Sequence, residues 1–384
     1  MPLHLPATAA DLRLRAQARL PRFLFDYVDG GATDEQTLRA NEADWARVTL
    51  RQRVLIDVDG VDTRTTLAGQ PCSLPLALAP IGLAGLMARR GEVQAARAAE
   101  AVGVPFTLST VGICPLGEVQ RAVVRPTWFQ LYMLRDRGIV EALLQRAWAE
   151  GCRTLVFTVD LPTSGMRHRD TRNGLSASRS RAALIKAAHL LTRPGWVWDV
   201  GVLGKPHGFG NLSEQVPHAQ DMDAFKAWVD TQFDPTVTWA DIDWLRERWG
   251  GTLLLKGLLD EGDARTAAGT GVQGLIVSNH GGRQLDGVAS TASKLPGIAR
   301  AVKAVNPGVQ VLVDGGIRSG VDVFRALALG AQGVLIGRPW VWALAADGER
   351  GVTELLQRWQ HELKLAMTLA GVRRVADIGA AHLA

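Results

Sequence analysis

A histidine and an arginine stand three residues apart around a glycine pair, in the stretch SNHGGRQLDG at 278–287. The stretch follows an apolar run, 274–277, that predicts a buried parallel strand. Histidine exchanges protons near neutral pH, and arginine offers a planar fork that suits a carboxylate. Because glycine lets the backbone turn sharply, His280 and Arg283 can face one small molecule. We therefore predict a site here, rather than a polar turn whose charges are merely solvated.

The composition predicts a globular enzyme-sized chain of 384 residues, with 47% hydrophobic and 21% charged residues. Three scattered cysteines without a CxxC motif favour a reducing compartment and no structural metal. The sequence opens without a signal-peptide pattern and has no apolar run of about 18 residues, so we expect a cytoplasmic location. The net charge of +5 is modest, and basic residues do not cluster with aromatic ones, so we expect no nucleic-acid partner.

Eight apolar stretches predict strands, and helical stretches separate most of them. The predicted strands lie at 74–80, 106–110, 127–132, 154–160, 253–257, 274–279, 309–314 and 333–337. Eight parallel strands close into a barrel, whereas an open doubly wound sheet would show a GxGxxG turn that is missing after the first strand. We predict an α/β fold, a (β/α)8 TIM barrel, preceded by a helical extension and followed by a C-terminal helix.

The chain is expected to form a single domain over 1–384. Its parts are an N-terminal extension at 1–70 with a small hairpin at 56–67, a barrel at 74–345, and a C-terminal helical region at 349–384. Within the barrel, one connection at 161–235 is far longer than the others. Because it leaves the C-terminal face of the barrel, we expect it to lie beside the active site.

Part of this long connection, 176–220, has the composition of a membrane-binding segment. It carries five basic and two acidic residues among apolar ones, together with Trp196 and Trp198. Basic amphipathic segments bind anionic membrane surfaces, and tryptophan favours the headgroup region. We expect a peripheral protein on the inner face of the cell membrane, with a mobile lid or a subunit contact as the alternative.

Titratable or amide-bearing side chains end six of the predicted strands. Since a barrel brings the carboxyl ends of its strands together, they should line one pocket. They include Gln130, Tyr132, Asp160, Lys256, His280, Asp314, Arg318 and Arg338. The last two strand ends are glycine-rich turns with an arginine, the usual phosphate position of a barrel, which indicates a phosphorylated cofactor. Tyr27 and Tyr132, the two tyrosines of the chain, stand beside such residues and are predicted in the pocket.

The chain resembles the FMN-dependent 2-hydroxy-acid dehydrogenase and oxidase family through a set of motifs that are, in chain order, FQLY, TVD, SNHGGRQLDG, VDGGIRSG and IGRP. The resemblance starts at PRFLFDYVDGGATDE, and ALAPIGLAGL and WVWDVGVLGKPHGFGNL place it nearest the bacterial quinone-linked L-lactate dehydrogenases. It implies FMN as cofactor and oxidation of an L-2-hydroxy acid, foremost L-lactate to pyruvate, with quinone or another non-oxygen acceptor. It also implies a homo-oligomer, in this family a homotetramer. A peroxide-forming oxidase and a mandelate-type dehydrogenase are the alternatives.

The resemblance further implies roles for individual residues. His280 matches the catalytic base, Asp160 the carboxylate that supports it, and Tyr132 a catalytic tyrosine that contacts the substrate oxygens. Three residues, Tyr27, Arg283 and Arg167, match the groups that bind the substrate. The cofactor-binding positions are Pro80, Ile81, Gly82, Ser109, Gln130, Thr158, Lys256, Ser278, Asp314, Gly316, Arg318, Gly337 and Arg338. A positive charge such as Lys256 beside the flavin favours the anionic reduced ring.

Two positions depart from glycolate oxidase, a member of the same family. Gly82 stands where that enzyme has alanine, which favours a dehydrogenase over an oxidase, and Val111 replaces a tryptophan, which leaves a roomier pocket. An isomerase or lyase barrel gives no reason to combine His280 with Arg283, and a non-enzymatic scaffold needs no polar strand ends. The sequence leaves hydride transfer and a carbanion route open, because both use His280.

Overall fold

The computed structural model describes residues 5–175, 179–213 and 231–384. Ten strands are present in these ranges: β1 Thr65–Leu67, β2 Gln70–Cys72, β3 Leu76–Leu78, β4 Thr107–Ser109, β5 Trp128–Leu131, β6 Thr154–Thr158, β7 Thr252–Leu258, β8 Gly274–Val277, β9 Gln310–Val313 and β10 Gly333–Ile336. Eight of them form one parallel sheet in the order β3-β10-β9-β8-β7-β6-β5-β4. An isolated parallel bridge from Leu78 to Phe106 joins the first strand of this sheet to the last, so the sheet is a nearly closed barrel. The predicted TIM barrel is confirmed.

Helices precede the barrel, surround it and follow it. They are α1 Ala9–Arg19, α2 Arg22–Asp29, α3 Gln36–Arg47, α4 Gly91–Val102, α5 Leu116–Arg121, α6 Arg137–Ala149, α7 His168–Arg172, α8 Arg179–Leu191, α9 Pro194–Trp196, α10 Ala240–Arg248, α11 Glu261–Gly269, α12 Thr291–Val305, α13 Gly320–Ala328 and α14 Arg338–Ala370. A kink with non-helical backbone at Asp347 and Gly348 divides α14. Its second part is the predicted C-terminal helix, and its first part is the helix that follows the last barrel strand.

The β1–β2 hairpin closes the N-terminal end of the barrel. Its Leu67 and Ala68 pack in one buried cluster with inward-facing strand residues. Its polar groups are paired as well, because Gln70 Oε1 accepts from Trp128 Nε1 at 3.0 Å and the Ala68 N–H donates to Gln310 Oε1 at 2.8 Å. The predicted hairpin position, 56–67, is wrong. The turn falls at Ala68 and Gly69, both with positive φ as a tight two-residue hairpin turn requires, and the alternation further upstream is not paired as a hairpin.

The N-terminal extension lies across the opposite, C-terminal end of the barrel. Helix α3 is bonded to the loops that follow β8 and β9. Trp45 Nε1 donates to the Gly315 carbonyl at 2.8 Å, and Asn41 exchanges two side-chain hydrogen bonds with Asn279. Asp286 accepts from the Thr37 N–H near the start of the same helix at 2.8 Å. The extension therefore forms one wall around the C-terminal opening of the barrel.

The long connection after β6 forms a second wall, in the parts that are described. It contains α7, α8, α9 and a π-helical turn, Val197–Val202. The beginning of the connection is bonded to the loop after β8, residues 278–287. Gln284 of that loop donates from its Nε2 to the carbonyls of Asp160 and Thr163. Residues 176–178 and 214–220 of the predicted membrane segment lie outside the described ranges. Within those ranges, no helix is both long and apolar enough to span a bilayer.

Candidate active site

A cavity of about 430 Å³ opens at the carboxyl ends of the barrel strands. Most of the predicted site residues line it: Tyr27, Pro80, Ile81, Gly82, Tyr132, Thr158, Arg167, Lys256, His280, Arg283, Asp314, Gly316, Arg318, Gly337 and Arg338. Four further predicted residues are outside the lining but bonded next to it. Ser109 bonds to Gln130, Asp160 to His280 and Ser278 to Lys256. The barrel therefore brings the predicted residues together, as the strand-end pattern indicates.

His280 and Asp160 form a hydrogen-bonded pair in the cavity. The imidazole Nδ1 lies 2.8 Å from Asp160 Oδ1, so a proton on Nδ1 is held by the carboxylate and Nε2 is left as the basic nitrogen. Burial raises the pKa of the Asp160 carboxyl, but the charge and hydrogen bond of His280 and the charge of Lys256 outweigh it. The net pKa of Asp160 lies below its ordinary value, so the carboxylate is ionised and stabilises a protonated His280.

Two guanidinium groups and a tyrosine form an anion-binding wall. The Arg283 guanidinium lies 4.9 Å from the centre of the Tyr27 ring and that of Arg167 lies 5.9 Å from it. Arg283 donates to the backbone carbonyls of Tyr27 and Gly30, and among the described residues it has no ion pair with a carboxylate. Burial, followed by the charge of Arg167, lowers the pKa of Arg283 to about 10. A bound carboxylate would relieve this repulsion, so the wall suits an anionic substrate.

Tyr132 supplies a neutral hydrogen-bond donor beside the base. Its ring packs edge-on against Phe233, with centroids 5.2 Å apart. Burial, and then the nearby Asp160 charge, raise the pKa of the phenol. The hydroxyl therefore stays protonated and can donate to a substrate oxygen.

Lys256 is the fixed positive charge at the floor of the cavity. Its Nζ donates to Ser278 Oγ at 2.9 Å and lies 3.0 Å from Asp314 Oδ2. Burial lowers the pKa of the ammonium group, but the charges of Asp314 and Asp160 outweigh burial and the net pKa is raised. Lys256 is consequently charged over the whole physiological pH range, as a group that stabilises a reduced anionic flavin must be.

Several buried polar atoms around Lys256 have no hydrogen-bond partner within the described residues. They are Gln130 Nε2, Thr158 Oγ1 and Asp314 Oδ1. Ser109 Oγ donates to Gln130 Oε1 at 3.0 Å, which fixes the amide with its Nε2 unpaired. Buried polar atoms are normally paired, and a flat ring edged with alternating donors and acceptors would pair these. The donor set thus fits the isoalloxazine ring of FMN.

The turns after β9 and β10 form the end of the cavity that is predicted to hold the phosphate. Gly315 and Gly316 have φ of 93° and 84°, conformations that glycine adopts without strain. Arg318 lies in the cavity wall, 5.0 Å over Trp342, and donates to Glu42 Oε1 at 2.6 Å. These groups and the N-terminus of α14 fit a phosphate.

Arg338 has a structural task that the sequence did not indicate. Its guanidinium donates to the carbonyls of Val28, Gly30 and Gly281, at 3.0, 2.7 and 2.8 Å. Burial, followed by the charges of Arg283 and Arg318, lowers its pKa to about 9. Three of its five N–H donors thus hold the end of α2 against the loop after β8. A contact between Arg338 and phosphate stays a prediction for the remaining two donors.

Gly82 and Val111 lie against each other in the cavity wall. A Cβ built on Gly82 would lie 2.7 Å from Val111 Cγ2 and 3.5 Å from the Tyr27 hydroxyl. The two positions singled out in the sequence are therefore one contact.

The outer part of the cavity was not foreseen residue by residue. It is lined by apolar side chains of the extension, of the loop after β3 and of the long connection: Phe23, Leu24, Leu86, Leu175, Trp196 and Phe209. Trp196 points inward and donates to the Leu86 carbonyl at 2.9 Å, which corrects its expected place at a membrane surface. The aromatic residues of 196–209 are a sequence signal for a segment that packs on another part of the protein. No local pattern shows which side of the segment faces the cavity.

The chain matches known proteins over nearly its whole length. Residues 16–384 match the family described as FMN-dependent dehydrogenase. The L-lactate dehydrogenase of Caulobacter sp. (strain K31) is 53% identical over 378 residues, covering 98% of both chains. The L-lactate dehydrogenase of Chromohalobacter salexigens is 50% identical over 377 residues, covering 98% of this chain and 95% of that one.

Solved structures agree with this relationship. The monotopic membrane protein (S)-mandelate dehydrogenase has a TM-score of 0.91 and 32% identity, covering 99% of this chain and 100% of that one. A mandelate oxidase has a TM-score of 0.83 and 38% identity, covering 99% of this chain and 98% of that one. The chain therefore belongs to the FMN-dependent dehydrogenase family, and FMN is its cofactor.

Proposed function

We propose that the protein oxidises L-lactate to pyruvate and passes the electrons to a quinone. One observation carries the proposal: the His280–Asp160 pair, at 2.8 Å, opens into the same cavity as the two guanidinium groups of Arg283 and Arg167. A base and an anion-binding wall in one small cavity suit a 2-hydroxy acid. The L-lactate dehydrogenases of Caulobacter and Chromohalobacter, at 53% and 50% identity, support lactate as that acid.

The residues of the chain divide the work as follows. Arg283, Arg167 and Tyr27 bind the substrate carboxylate, and Tyr132 donates to a substrate oxygen. Lactate loses two electrons and two protons on becoming pyruvate. In a hydride route His280 Nε2 would take the hydroxyl proton, and the C2 hydrogen would leave with its electron pair for the acceptor. In a carbanion route His280 Nε2 would take the C2 proton, and the electron pair would leave C2 as the hydroxyl proton is released. Asp160 stabilises the resulting imidazolium, which is the arrangement general base catalysis requires. FMN supplies the two-electron acceptor when bound, with Lys256 as the adjacent positive charge.

An apolar acceptor is supported by the outer part of the cavity. Phe23, Leu24, Leu86 and Trp196 line the cavity together with Lys186 of α8. A quinone with an apolar tail fits such a lining, because burial of apolar surface favours its binding. Gly82, the glycine beside the flavin position, is the further reason to favour a dehydrogenase over an oxidase. A mandelate-type activity is the second candidate, supported by the (S)-mandelate dehydrogenase fold at a TM-score of 0.91.

The long connection supports membrane binding as part of the same proposal. In its described part Leu184, Leu191 and Trp198 are 73%, 84% and 64% exposed. Leu184 and Leu191 are seven residues apart on α8 and so share one face of the helix, and exposed apolar faces mark sites of interaction with a protein or a membrane. Of the basic residues, Arg193 donates to the carbonyls of Leu20 and Gln17 and so anchors the connection to the end of α1. We infer that the apolar side chains enter the headgroup region of an anionic membrane.

The anaerobic visible spectrum of the purified holoenzyme tests the substrate. The flavin bands should bleach on adding L-lactate and not on adding D-lactate, with slower bleaching by (S)-mandelate. Re-oxidation should be faster with a short-chain benzoquinone than with air-saturated buffer. Bleaching by mandelate alone would replace the substrate assignment, and rapid re-oxidation by oxygen with peroxide release would replace the acceptor.

Co-sedimentation with phosphatidylglycerol vesicles tests the membrane surface. Replacing Leu184, Leu191 and Trp198 by serine should abolish sedimentation while dye-linked lactate oxidation is retained. The matched control is Val124→Ser, because Val124 is 91% exposed in the loop before β5, at the N-terminal end of the barrel. If the intact protein stays in the supernatant at low salt, where attraction to an anionic surface is strongest, the membrane proposal is wrong.

A further inference from the structure

The catalytic histidine stands in a run of left-handed backbone. His280, Gly281 and Gly282 have φ of 58°, 63° and 73°. Glycine adopts this conformation freely, whereas a residue with a Cβ is strained in it and keeps it when its surroundings hold the backbone. The direction of the His280 side chain therefore depends on the groups that hold this turn.

The side chain of Asn279 is one of the groups that hold the turn, beside the Ser278 hydroxyl, which accepts from the His280 N–H at 3.0 Å. Its Oδ1 accepts from the Gly282 N–H at 3.1 Å, and its Nδ2 donates to the Ala289 carbonyl at 3.1 Å. Through these bonds one amide spans the left-handed run and links it to the segment that leads into α12. A change in the orientation of the Asn279 amide would alter the backbone that carries His280.

The orientation of Asn279 is set from outside the barrel, by Asn41 on α3. Asn41 Nδ2 donates to Asn279 Oδ1 at 2.8 Å, and Asn279 Nδ2 donates to Asn41 Oδ1 at 2.8 Å. The Thr291 N–H also donates to Asn41 Oδ1 at 3.2 Å. Both asparagines are buried, so each amide is fixed by the other, since an inverted amide would face donor with donor and acceptor with acceptor.

The close seating of α3 makes this pairing rigid. A Cβ on Gly316 would lie 2.0 Å from the Asn41 carbonyl oxygen, so the turn after β9 touches the helix backbone directly. Trp45, one turn further along the helix, donates to the Gly315 carbonyl. The helix is thus fixed to the barrel on both sides of the amide pair.

We propose that Asn41 is a positioning residue for proton transfer: through Asn279 it holds the left-handed turn that aims His280 at the substrate. The N-terminal extension then contributes to catalysis without contacting the substrate through this residue. The inference rests on the proposed role of His280 as the base. It assigns to Asn41 an effect on the rate of the chemical step and not on the binding of substrate or cofactor.

The test compares Asn41→Ala with Asp44→Ala in the FMN-loaded enzyme. Asp44 lies on the same helix and accepts from Ser290 Oγ, so its removal also cuts a side-chain bond between α3 and the loop after β8, but one that does not reach the turn. Anaerobic stopped-flow reduction of the flavin by L-lactate gives the limiting rate and the substrate Kd. Flavin content and thermal melting are recorded for each variant.

Asn41→Ala should lower the limiting reduction rate roughly 10- to 100-fold, as a misplaced catalytic group does. Its lactate Kd should stay within about threefold of wild type, since the anion-binding wall is unchanged. Asp44→Ala should reduce the flavin at nearly the wild-type rate. Because the two asparagines act as a unit, the double variant Asn41→Ala/Asn279→Ala should be no slower than Asn279→Ala alone.

Equal reduction rates in Asn41→Ala and Asp44→Ala would overturn the inference, and so would rate losses that multiply in the double variant. His280→Gln separates this failure from that of the proposed base. If His280→Gln is inactive while Asn41→Ala is normal, the positioning role alone is wrong. If His280→Gln turns over normally, the base assignment itself is wrong.

Discussion

The two ends of the barrel have opposite relations to their own polar groups. At the N-terminal end, the side chains of Gln70, Trp128 and Gln310 are paired with one another or with hairpin backbone, above an apolar cluster. At the C-terminal end, Gln130 Nε2 and Thr158 Oγ1 are buried without partners among the described residues. His280, whose backbone has the left-handed conformation, lies at the same end. The N-terminal ends of the eight strands are thus closed by a plug of paired polar side chains and apolar packing. Their C-terminal ends surround a cavity with buried polar atoms that have no partner among the described residues.

This difference separates stability from function along each strand. Unpaired buried polar atoms and strained backbone cost free energy, and they are retained where a ligand pairs them or where chemistry needs them. Within the described residues the plug has fewer such atoms, Thr107 Oγ1 at the start of β4 being one, and it contributes packing. We therefore expect substitutions at the two ends to have different consequences, and the predictions below test this from the largest expected effect to the smallest.

His280→Gln should have the largest effect on activity and a small one on folding. Turnover should fall by ~10²–10⁴-fold, which is the usual contribution of a general base. FMN should stay bound and the melting temperature should change little, because glutamine fills a similar volume. Steady-state kinetics with L-lactate, together with the flavin absorbance of the purified variant, measure both. A variant with near-normal turnover would exclude His280 from the proton transfer.

Leu67→Ala should have the converse effect at the plug. Leu67 is fully buried in the hairpin cluster, and a Leu→Ala change in such a core lowers the free energy of unfolding by about 2–5 kcal/mol. The rate of lactate oxidation per bound flavin should be unchanged well below the melting temperature. Urea unfolding of the wild type and the variant gives the difference. A variant that is stable but slow would show that the two ends are coupled.

Arg283→Lys should weaken the substrate site selectively. Lysine keeps the charge but loses the fork that also holds the carbonyls of Tyr27 and Gly30. Both kcat and KM for L-lactate should deteriorate, by at least tenfold in kcat/KM, since charge-assisted hydrogen bonds are each worth about 1.5–3 kcal/mol. Flavin content is the control. An unaltered kcat/KM would contradict the assignment of Arg283 to the substrate carboxylate.

Thr158→Val and Gln70→Leu form a matched pair across the barrel. Thr158 Oγ1 has no partner among the described residues, so its replacement should not destabilise the apoprotein but should weaken FMN binding by the equivalent of one hydrogen bond, about 0.5–1.5 kcal/mol. Gln70→Leu instead leaves the buried Trp128 N–H unpaired, so it should lower stability by about 1–3 kcal/mol with normal FMN affinity. Thermal melting of the apoprotein and FMN titration distinguish the two. Identical behaviour of both variants would remove the contrast between the ends.

Asp160 should give the smallest effect, a pH-dependent stability. Its folded pKa lies below the ordinary value, so its carboxylate stabilises the fold above an unfolded pKa of about 3.9, and this contribution is lost as pH falls through the lower folded pKa. The melting temperature of wild type minus that of Asp160→Asn should be steady from about pH 5 upward and should shrink below about pH 4. A difference that grows on acidification would reverse the assigned sign.

The barrel and most of the chemical groups at its C-terminal end can be predicted from local patterns in the chain. Apolar runs such as 274–277 predicted the strands because a strand buried on both faces is continuously hydrophobic. Polar residues at the strand ends, such as Asp160 and Lys256, predicted the cavity because parallel strands of a barrel converge at one end. These features are local in the chain, so they can be read without knowing which distant segments meet.

The closure of the two ends and the support of the turn at His280 depend instead on contacts between segments that are far apart in the chain. The pairing of Asn41 with Asn279 joins residues 238 positions apart, and the orientations of Arg338 and Trp196 depend on carbonyl groups supplied by other elements. The hairpin turn at Ala68 and Gly69 was likewise misplaced by its neighbouring alternation. Each of these is a contact between two segments whose local patterns are unremarkable, so its specificity arises from packing and not from either sequence.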